Sequence, residues 1–294
     1  MKNAFESITE SIREELAQAL NRCGLMYRMF YRVKTLSSIQ HKMAFKGDKY
    51  KSGESKMQDI IGFRIVLYFP DDVDLVSLYF SCKDVVKRSV DVPDPSTFRP
   101  QRLNLTLNIP EQFVELFKKK LPAEYAPYID PTYEIQIRTV FSEGWHEVEH
   151  DFRYKCKEDW VGYEFYSRTL NGVIATLENA EWSMKALFHE MSHKNYLDGN
   201  YRAMLRNKLR IRLKDEDFSP AVSDYLQSHP QMARNFLKID RMVFVLMLMN
   251  HKQTIDLTYD NIIFLVNRIE INDLDFKALE GEEKSKMLDQ YLLS

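Results

Sequence analysis

Apolar and polar positions alternate along Leu103-Asn104-Leu105-Thr106-Leu107-Asn108-Ile109, the period of two that a half-buried strand requires. The same period runs through Tyr133-Glu134-Ile135-Gln136-Ile137-Arg138, where an acid, an amide and a base share one face and three apolar side chains share the other. A β-branched and aromatic run from Ile60 to Phe69, closed by Pro70-Asp71-Asp72, reads as a buried strand. The pattern predicts strands near 60–69, 86–92, 102–109 and 132–139 and helices over about 4–20, 36–45, 71–82 and 110–120, with a charged helix from Trp145 to Lys155. That is an α+β fold, a mixed β-sheet flanked by helices. The segment Val92–Pro100, rich in proline, is expected to be a rigid loop between strands, placed where a substrate lid would be useful.

Past Asp159 the period becomes helical. Leu170, Ile174, Leu177, Met184, Leu187 and Met191 trace one stripe, and helical periodicity continues to the end with breaks near Asp198-Gly199, Ser219-Pro220, His229-Pro230 and Gly281. The expected organisation is a domain over residues 1–158 followed by an all-helical C-terminal region over 159–294, whose role is support, oligomerisation or regulation.

With 294 residues the chain exceeds one typical domain. A formal charge of −2 excludes a globally basic nucleic-acid binder but leaves local patches open. One such patch is Arg202, Arg206, Lys208, Arg210, Arg212 and Lys214, read as a solvated helix face first and as a grip on an RNA backbone second. Cys23, Cys82 and Cys156 have no metal-like spacing and suggest a reducing compartment. The N-terminal stretch, with Glu6, Glu10, Glu14 and Glu15, is no apolar signal segment. The apolar run Met242–Met249 is far shorter than the roughly 20 residues of a membrane helix. A cytoplasmic protein without a membrane partner is expected. His146–His150 and His189–His193 both spell His-Glu-x-x-His, but His193 falls opposite Met184 and no third ligand follows, so zinc is not expected.

Chemistry concentrates in three places. Asp59 lies at the mouth of the 60–69 strand and Glu134 on the polar face of another, and two such carboxylates suit Mg²⁺ completed by substrate phosphates. Gly62 would let a backbone or ligand approach closely. Upstream, Arg32 and Lys34 precede Ser38 and Lys42, which are four residues apart and share a helix face. Cations and a hydroxyl so placed suit a polyphosphate.

These residues, in this order, resemble the synthetase domain of the RelA/SpoT family, the alarmone synthetases. The matching positions are Arg32, Lys34, Ser38 and Lys42; Asp59, Gly62 and Arg64; Glu134, Gln136, Arg138 and Thr139; and Trp145, Glu149, His150, Tyr154 and Lys155. The resemblance covers roughly residues 25–156. It implies a nucleotidyltransferase-like fold and transfer of a pyrophosphate group from ATP to the ribose 3′-hydroxyl of a nucleotide, GTP or GDP being the family's commonest acceptor. It further implies that Asp59 and Glu134 are catalytic and hold Mg²⁺, that Arg32 and Arg64 flank the adenine, and that Lys34, Ser38 and Lys42 take phosphate oxygens. Arg102, Asn104, Gln136, Arg138, His150 and Lys155 would line the acceptor side.

The chain departs from the family at the acceptor loop, where Arg99-Pro100-Gln101-Arg102-Leu103-Asn104 stands in place of the guanine-stacking Gly-Tyr-x-Ser-x-His segment. Pro100 occupies the Tyr position, and Phe98 is the nearest ring. Two other readings therefore stay open: a toxin-like pyrophosphorylation of the tRNA 3′ end, and a nucleotide sensor without turnover. A homo-oligomer, or a regulatory partner that displaces the helical half from the nucleotide cleft, is also compatible with the sequence.

Overall fold

The computed structural model describes residues 2–52, 55–90 and 103–293, without the side chains of residues 2–4, 46–49 and 51. The chain divides into two compact units, Met1–Ala17 with Tyr27–Glu181, and Gln18–Met26 with Trp182–Ser294. The sequence pattern changes near 159, where strands give way to helices. The division between units falls later, inside a long helix.

The first unit is built on a five-stranded sheet of order β1-β2-β5-β4-β3, formed by β1 (Tyr27–Val33), β2 (Ile61–Leu67), β3 (Val85–Val90), β4 (Leu103–Asn108) and β5 (Thr132–Thr139). β2 and β5 run parallel at the centre, and the other pairings are antiparallel, so the sheet is mixed. Register aligns Ile61, Phe63 and Ile65 with Tyr133, Ile135 and Ile137, and these with Leu107, Leu105 and Leu103, which makes one continuous apolar face. All nine side chains are buried. Helix α1 (Lys2–Arg22) buries Phe5, Ile8, Ile12 and Leu16 at helical spacing within this unit. Helix α3 (Pro70–Ser81), opened by Pro70 with Asp71 and Asp72 in its first turn, packs on β2 and β5, and α4 (Glu111–Lys120) brings Phe117 to 5.0 Å from Phe5.

The four predicted strands are present, and β1 is a fifth that the pattern did not predict. The reason is physical. β1 is an edge strand, mostly exposed, and Tyr-Arg-Met-Phe-Tyr-Arg-Val joins β2 through its backbone without the in–out alternation that marks a buried strand. Helix α2 (Leu36–Lys51) also runs beyond its predicted end. The charged helix divides into α5 (Val140–Glu149) and a π-helical turn, His150–Tyr154.

Helix α6 (Glu164–Leu197) carries the stripe expected after Asp159, but not as a uniformly buried line. Ile174 and Glu181 are buried, whereas Leu187 and Met191 are 52% and 41% exposed. The second unit is all helical. It contains α7 (Tyr201–Leu209), α8 (Pro220–Ser228), α9 (Pro230–Lys238), α10 (Arg241–Asn250), α11 (Tyr259–Val266), α12 (Leu274–Lys277) and α13 (Gly281–Leu293). The boundaries at Gly199, Pro220, Pro230 and Gly281 follow the predicted breaks. Phe236, Phe264 and Tyr225 surround Phe276 at 5.6, 5.2 and 5.3 Å between ring centroids, and α11 is buried on every side. Gly24 adopts φ +68°, and a Cβ there would meet the Leu257 side chain at 2.6 Å, so glycine is required.

The basic run of the second unit does not form one open face. Arg202 pairs with Asp215 and Asp217 and lies over the Tyr259 ring, Lys214 pairs with Asp256, and Arg210 is buried. Three of these six cations, Arg202, Arg210 and Lys214, are thus paired or buried within the unit. No helix among the described residues is long and apolar enough to cross a membrane.

Candidate active site

The opposite face of the sheet is polar because the period of two that buries leucine and isoleucine also exposes the residues between them. Register sets Gly62, Glu134 and Thr106 in one row with Arg32, and Arg64, Gln136 and Asn104 in the next with Phe30. Helix α5 lies against this face, touching both β2 and β5. A cleft of about 590 Å³ opens there, lined among others by Arg32, Asp59, Gly62, Arg64, Glu134, Gln136, His150 and Lys155. Eight expected positions from blocks far apart in sequence thus meet in one cavity.

Asp59 lies just ahead of β2, and two lysines converge on it. Lys34 Nζ is 2.9 Å from one carboxylate oxygen, and Lys42 Nζ is 2.7 Å from both. Burial would raise the Asp59 carboxyl, but the Lys42 and Lys34 ammoniums outweigh it and hold it below the usual carboxylate range. Lys34 is itself lowered: burial acts against its charge, and a carboxylate shared with Lys42 offsets only part of that. Ser38 is exposed and bonded to Thr35 Oγ1 at 2.9 Å at the start of α2, one turn before Lys42.

Arg32 extends its side chain over Gly62, where an added Cβ would stand 3.8 Å from Arg32 Cγ and Nε. That is ordinary contact, so no backbone of the described residues demands glycine at position 62, and the expected close approach of a ligand is left as a proposal. Arg64 donates through Nη1 to Glu143 and to Glu147, the latter at 2.5 Å, and through Nε to Gln136 Oε1 at 3.2 Å. Burial opposes the Arg64 charge, yet these two acids raise its pKa above the ordinary arginine value. Arg138, buried, donates to Glu143 at 2.9 Å and to Gln136 Oε1 at 3.4 Å. Gln136 Nε2 donates in turn to Glu134 Oε1 at 2.8 Å.

Just past the C-terminal end of α5, and still lining the cleft, His150 stacks on Tyr154 and approaches Asp151 at 3.0 Å, and Lys155 Nζ meets Asp151 at 2.7 Å. Those bonds lower the Asp151 carboxyl. Asn104 faces the same side of the sheet, and its buried Oδ1 has no hydrogen-bond donor among the described residues. Arg102, Pro100 and Phe98 lie outside the described residues. Trp145 and Glu149 serve packing: Trp145 Nε1 donates to Leu170 O at 2.9 Å, and Glu149 holds Arg153, which reaches Asn171 at 2.8 Å. Thr139 caps α5 by accepting from Ser142 N and donates to Glu181. Burial raises the Glu181 carboxyl, with these donors acting the other way.

Of the two His-Glu-x-x-His stretches, His146 is buried while His150, His189 and His193 are exposed. Among the described residues no three His, Cys, Asp or Glu side chains are grouped to hold a metal ion.

The sequence reading named the cations of the cleft and missed the acids that hold them, Glu143, Glu147 and Asp151. One signal was available: Glu143 and Glu147 are four apart and share a helix face.

Residues 31–159 match the family described as "Region found in RelA / SpoT proteins". Two curated relatives from Bacillus subtilis (strain 168), GTP pyrophosphokinase YwaC and GTP pyrophosphokinase YjbM, are each 32% identical, over 135 and 127 residues that cover 44% and 42% of this chain. The chain spans 58% and 54% of their respective lengths. The crystal structure of small alarmone synthetase 1 from Bacillus subtilis aligns at 22% identity with a TM-score of 0.43, covering 63% of this chain and 91% of that one. The segment from residue 31 to residue 159, which contains every candidate residue of the cleft from Arg32 to Lys155, is the part of the chain that is similar to RelA/SpoT proteins.

Proposed function

We propose that this chain is a pyrophosphate transferase, with ATP as donor and the ribose 3′-hydroxyl of GTP or GDP as acceptor. The observation that carries the reading is the convergence of Asp59, Arg32, Arg64, Glu134 and Lys155 on one cleft within the family segment. The two curated relatives, each a GTP pyrophosphokinase by name, support the acceptor.

In this reading the 3′-oxygen attacks the β-phosphorus of ATP. The new 3′-O–Pβ bond forms as the bond between Pβ and the α,β-bridging oxygen breaks, AMP leaves with that oxygen, and Glu134 takes the hydroxyl proton. Arg32 and Arg64 present guanidinium planes that flank the adenine. Lys34, Ser38 and Lys42 hold the triphosphate. Both lysines are paired with Asp59 in the free protein, so phosphate oxygens compete with that carboxylate for them. As the lysines turn to phosphate, Asp59 is released to face the same polyphosphate with Glu134. Two carboxylates with hard oxygen donors fit Mg²⁺, and Asp59 and Glu134 would hold it; bound there, it supplies charge neutralisation at the phosphates. Asn104, Gln136, Arg138, His150 and Lys155, with Arg102, form the acceptor side.

The test is thin-layer analysis of ATP labelled in its γ-phosphate, incubated with the full chain and GDP, GTP, ATP or tRNA. Label on the guanine nucleotide, with AMP released, is the expected outcome. Label on RNA, or on no acceptor at all, would overturn the proposal.

A further inference from the structure

The acceptor-side and donor-side arginines are joined into a closed ring of side chains. Glu143 accepts from Arg64 Nη1 with one carboxylate oxygen and from Arg138 Nη1 with the other, the latter at 2.9 Å. Gln136 Oε1 accepts from the same two residues, at 3.2 Å from Arg64 Nε and 3.4 Å from Arg138 Nη2. Glu143 and Arg138 are 14% and 9% exposed, so water competes little for these bonds.

The ring decides which way the Gln136 amide faces. A guanidinium carries donors and no acceptor, so two of them aimed at one end of an amide require its oxygen there. The amide nitrogen must then lie at the other end, where it donates to Glu134 Oε1 at 2.8 Å. With the amide reversed, its N–H₂ would confront two cations and its oxygen a carboxylate. Glu143 is the member of the ring that comes from outside the sheet, and its place is fixed by the capped start of α5 at Thr139.

We infer that Glu143 is a positioning residue for this active site: it clamps Arg64 and Arg138 against Gln136 and so fixes the amide orientation from which Gln136 holds Glu134. The inference rests on the proposed role of Glu134 for its effect on rate, but not for the geometry of the ring. In Glu143→Gln one oxygen is replaced by an N–H₂ that faces a guanidinium, so the ring opens on that side. Gln136 is then free to turn.

The experiment uses the full-length chain, as wild type, Glu143→Gln, Gln136→Ala and the double variant. Two readouts are taken: the kcat of pyrophosphate transfer, and the side-chain amide signal of Gln136 in a ¹⁵N-labelled sample, assigned by its loss in Gln136→Ala. Glu143→Gln is expected to lower kcat about 10- to 100-fold and to move the Gln136 signal towards that of a free glutamine, with the rest of the spectrum retained. Because Glu143 acts through Gln136, the double variant should be no slower than Gln136→Ala. Wild-type kcat in Glu143→Gln, an unmoved amide signal, or losses that simply multiply in the double variant would each overturn the inference. If Glu143→Gln does not fold, Glu143→Asp serves instead. Its shorter carboxylate reaches one guanidinium, so an intermediate loss is expected, and wild-type kcat would refute the role. A wild type that transfers nothing would defeat the proposed function alone, since the amide signal needs no turnover.

Discussion

Asp59→Asn separates the structural from the catalytic weight of the residue on which the site is centred. The Asp59 carboxylate is contacted by Lys42 at 2.7 Å and Lys34 at 2.9 Å, with side-chain exposures of 23% for Asp59, 26% for Lys42 and 12% for Lys34. Removing one partner of a fully buried ion pair costs about 3–5 kcal/mol. Solvent reaches about a quarter of the Asp59 and Lys42 side chains, so the expected loss is smaller, about 1–3 kcal/mol. The assay is urea denaturation at pH 7, with Asp59→Asn, Lys42→Met and the pair compared with wild type. Because Asp59→Asn leaves two ammoniums facing each other, adding Lys42→Met should restore part of the loss. The pH dependence has a definite sign. The folded Asp59 carboxyl lies below its unfolded value, so its contribution is complete above the unfolded pKa, about 4. It is lost as pH falls through the lowered folded value. Transfer activity should fall about 10²–10³-fold in Asp59→Asn under conditions where it remains folded. Equal denaturation midpoints for wild type and Asp59→Asn at pH 7 would refute the structural half of this reasoning.

Two further predictions concern stability. Glu181 carries a raised carboxyl pKa, because burial outweighs the hydrogen bonds it receives, so its folded form favours the proton and stability declines as pH rises above the unfolded value. Glu181→Gln, which keeps an acceptor for Thr139, should be more stable at pH 7 by on the order of 1 kcal/mol and should flatten that decline in a pH series of thermal melts; a steeper decline would count against it. In the second unit, Arg268 donates through Nε to both Glu280 oxygens at 2.9 and 3.1 Å, and the two side chains are 6% and 1% exposed. Arg268→Met should cost about 3–5 kcal/mol in chemical denaturation, and Glu280→Leu added to it should recover most of the loss; no recovery would show that the pair is not the source.

Much of the fold of both units was legible in the sequence because its signals are local. The alternation at Leu103–Ile109 and at Tyr133–Arg138 marks a buried face whichever strands lie alongside, and Pro220, Pro230 and Gly281 end or start helices through their own backbone limits. Arg32 of the cleft and the two lysines on Asp59, Lys34 and Lys42, were legible too, through their spacing. The edge strand β1 was not, because it is held by backbone bonds to β2 and buries no alternating face.

The pairing of charges was decided only by the tertiary structure. Sequence placed Asp59 beside Glu134 in expectation, but which lysines occupy Asp59 depends on how the connection after β1, which carries Lys34, and α2, which carries Lys42, are placed against the residue just ahead of β2. The same holds for Glu143, whose bridge to Arg64 and Arg138 exists because parallel pairing of β2 with β5 sets the two arginines near each other under α5. Periodicity along a chain states which face a side chain occupies. An ion pair depends on distance across the sheet, and that distance is fixed only when strands from separate parts of the sequence take their register.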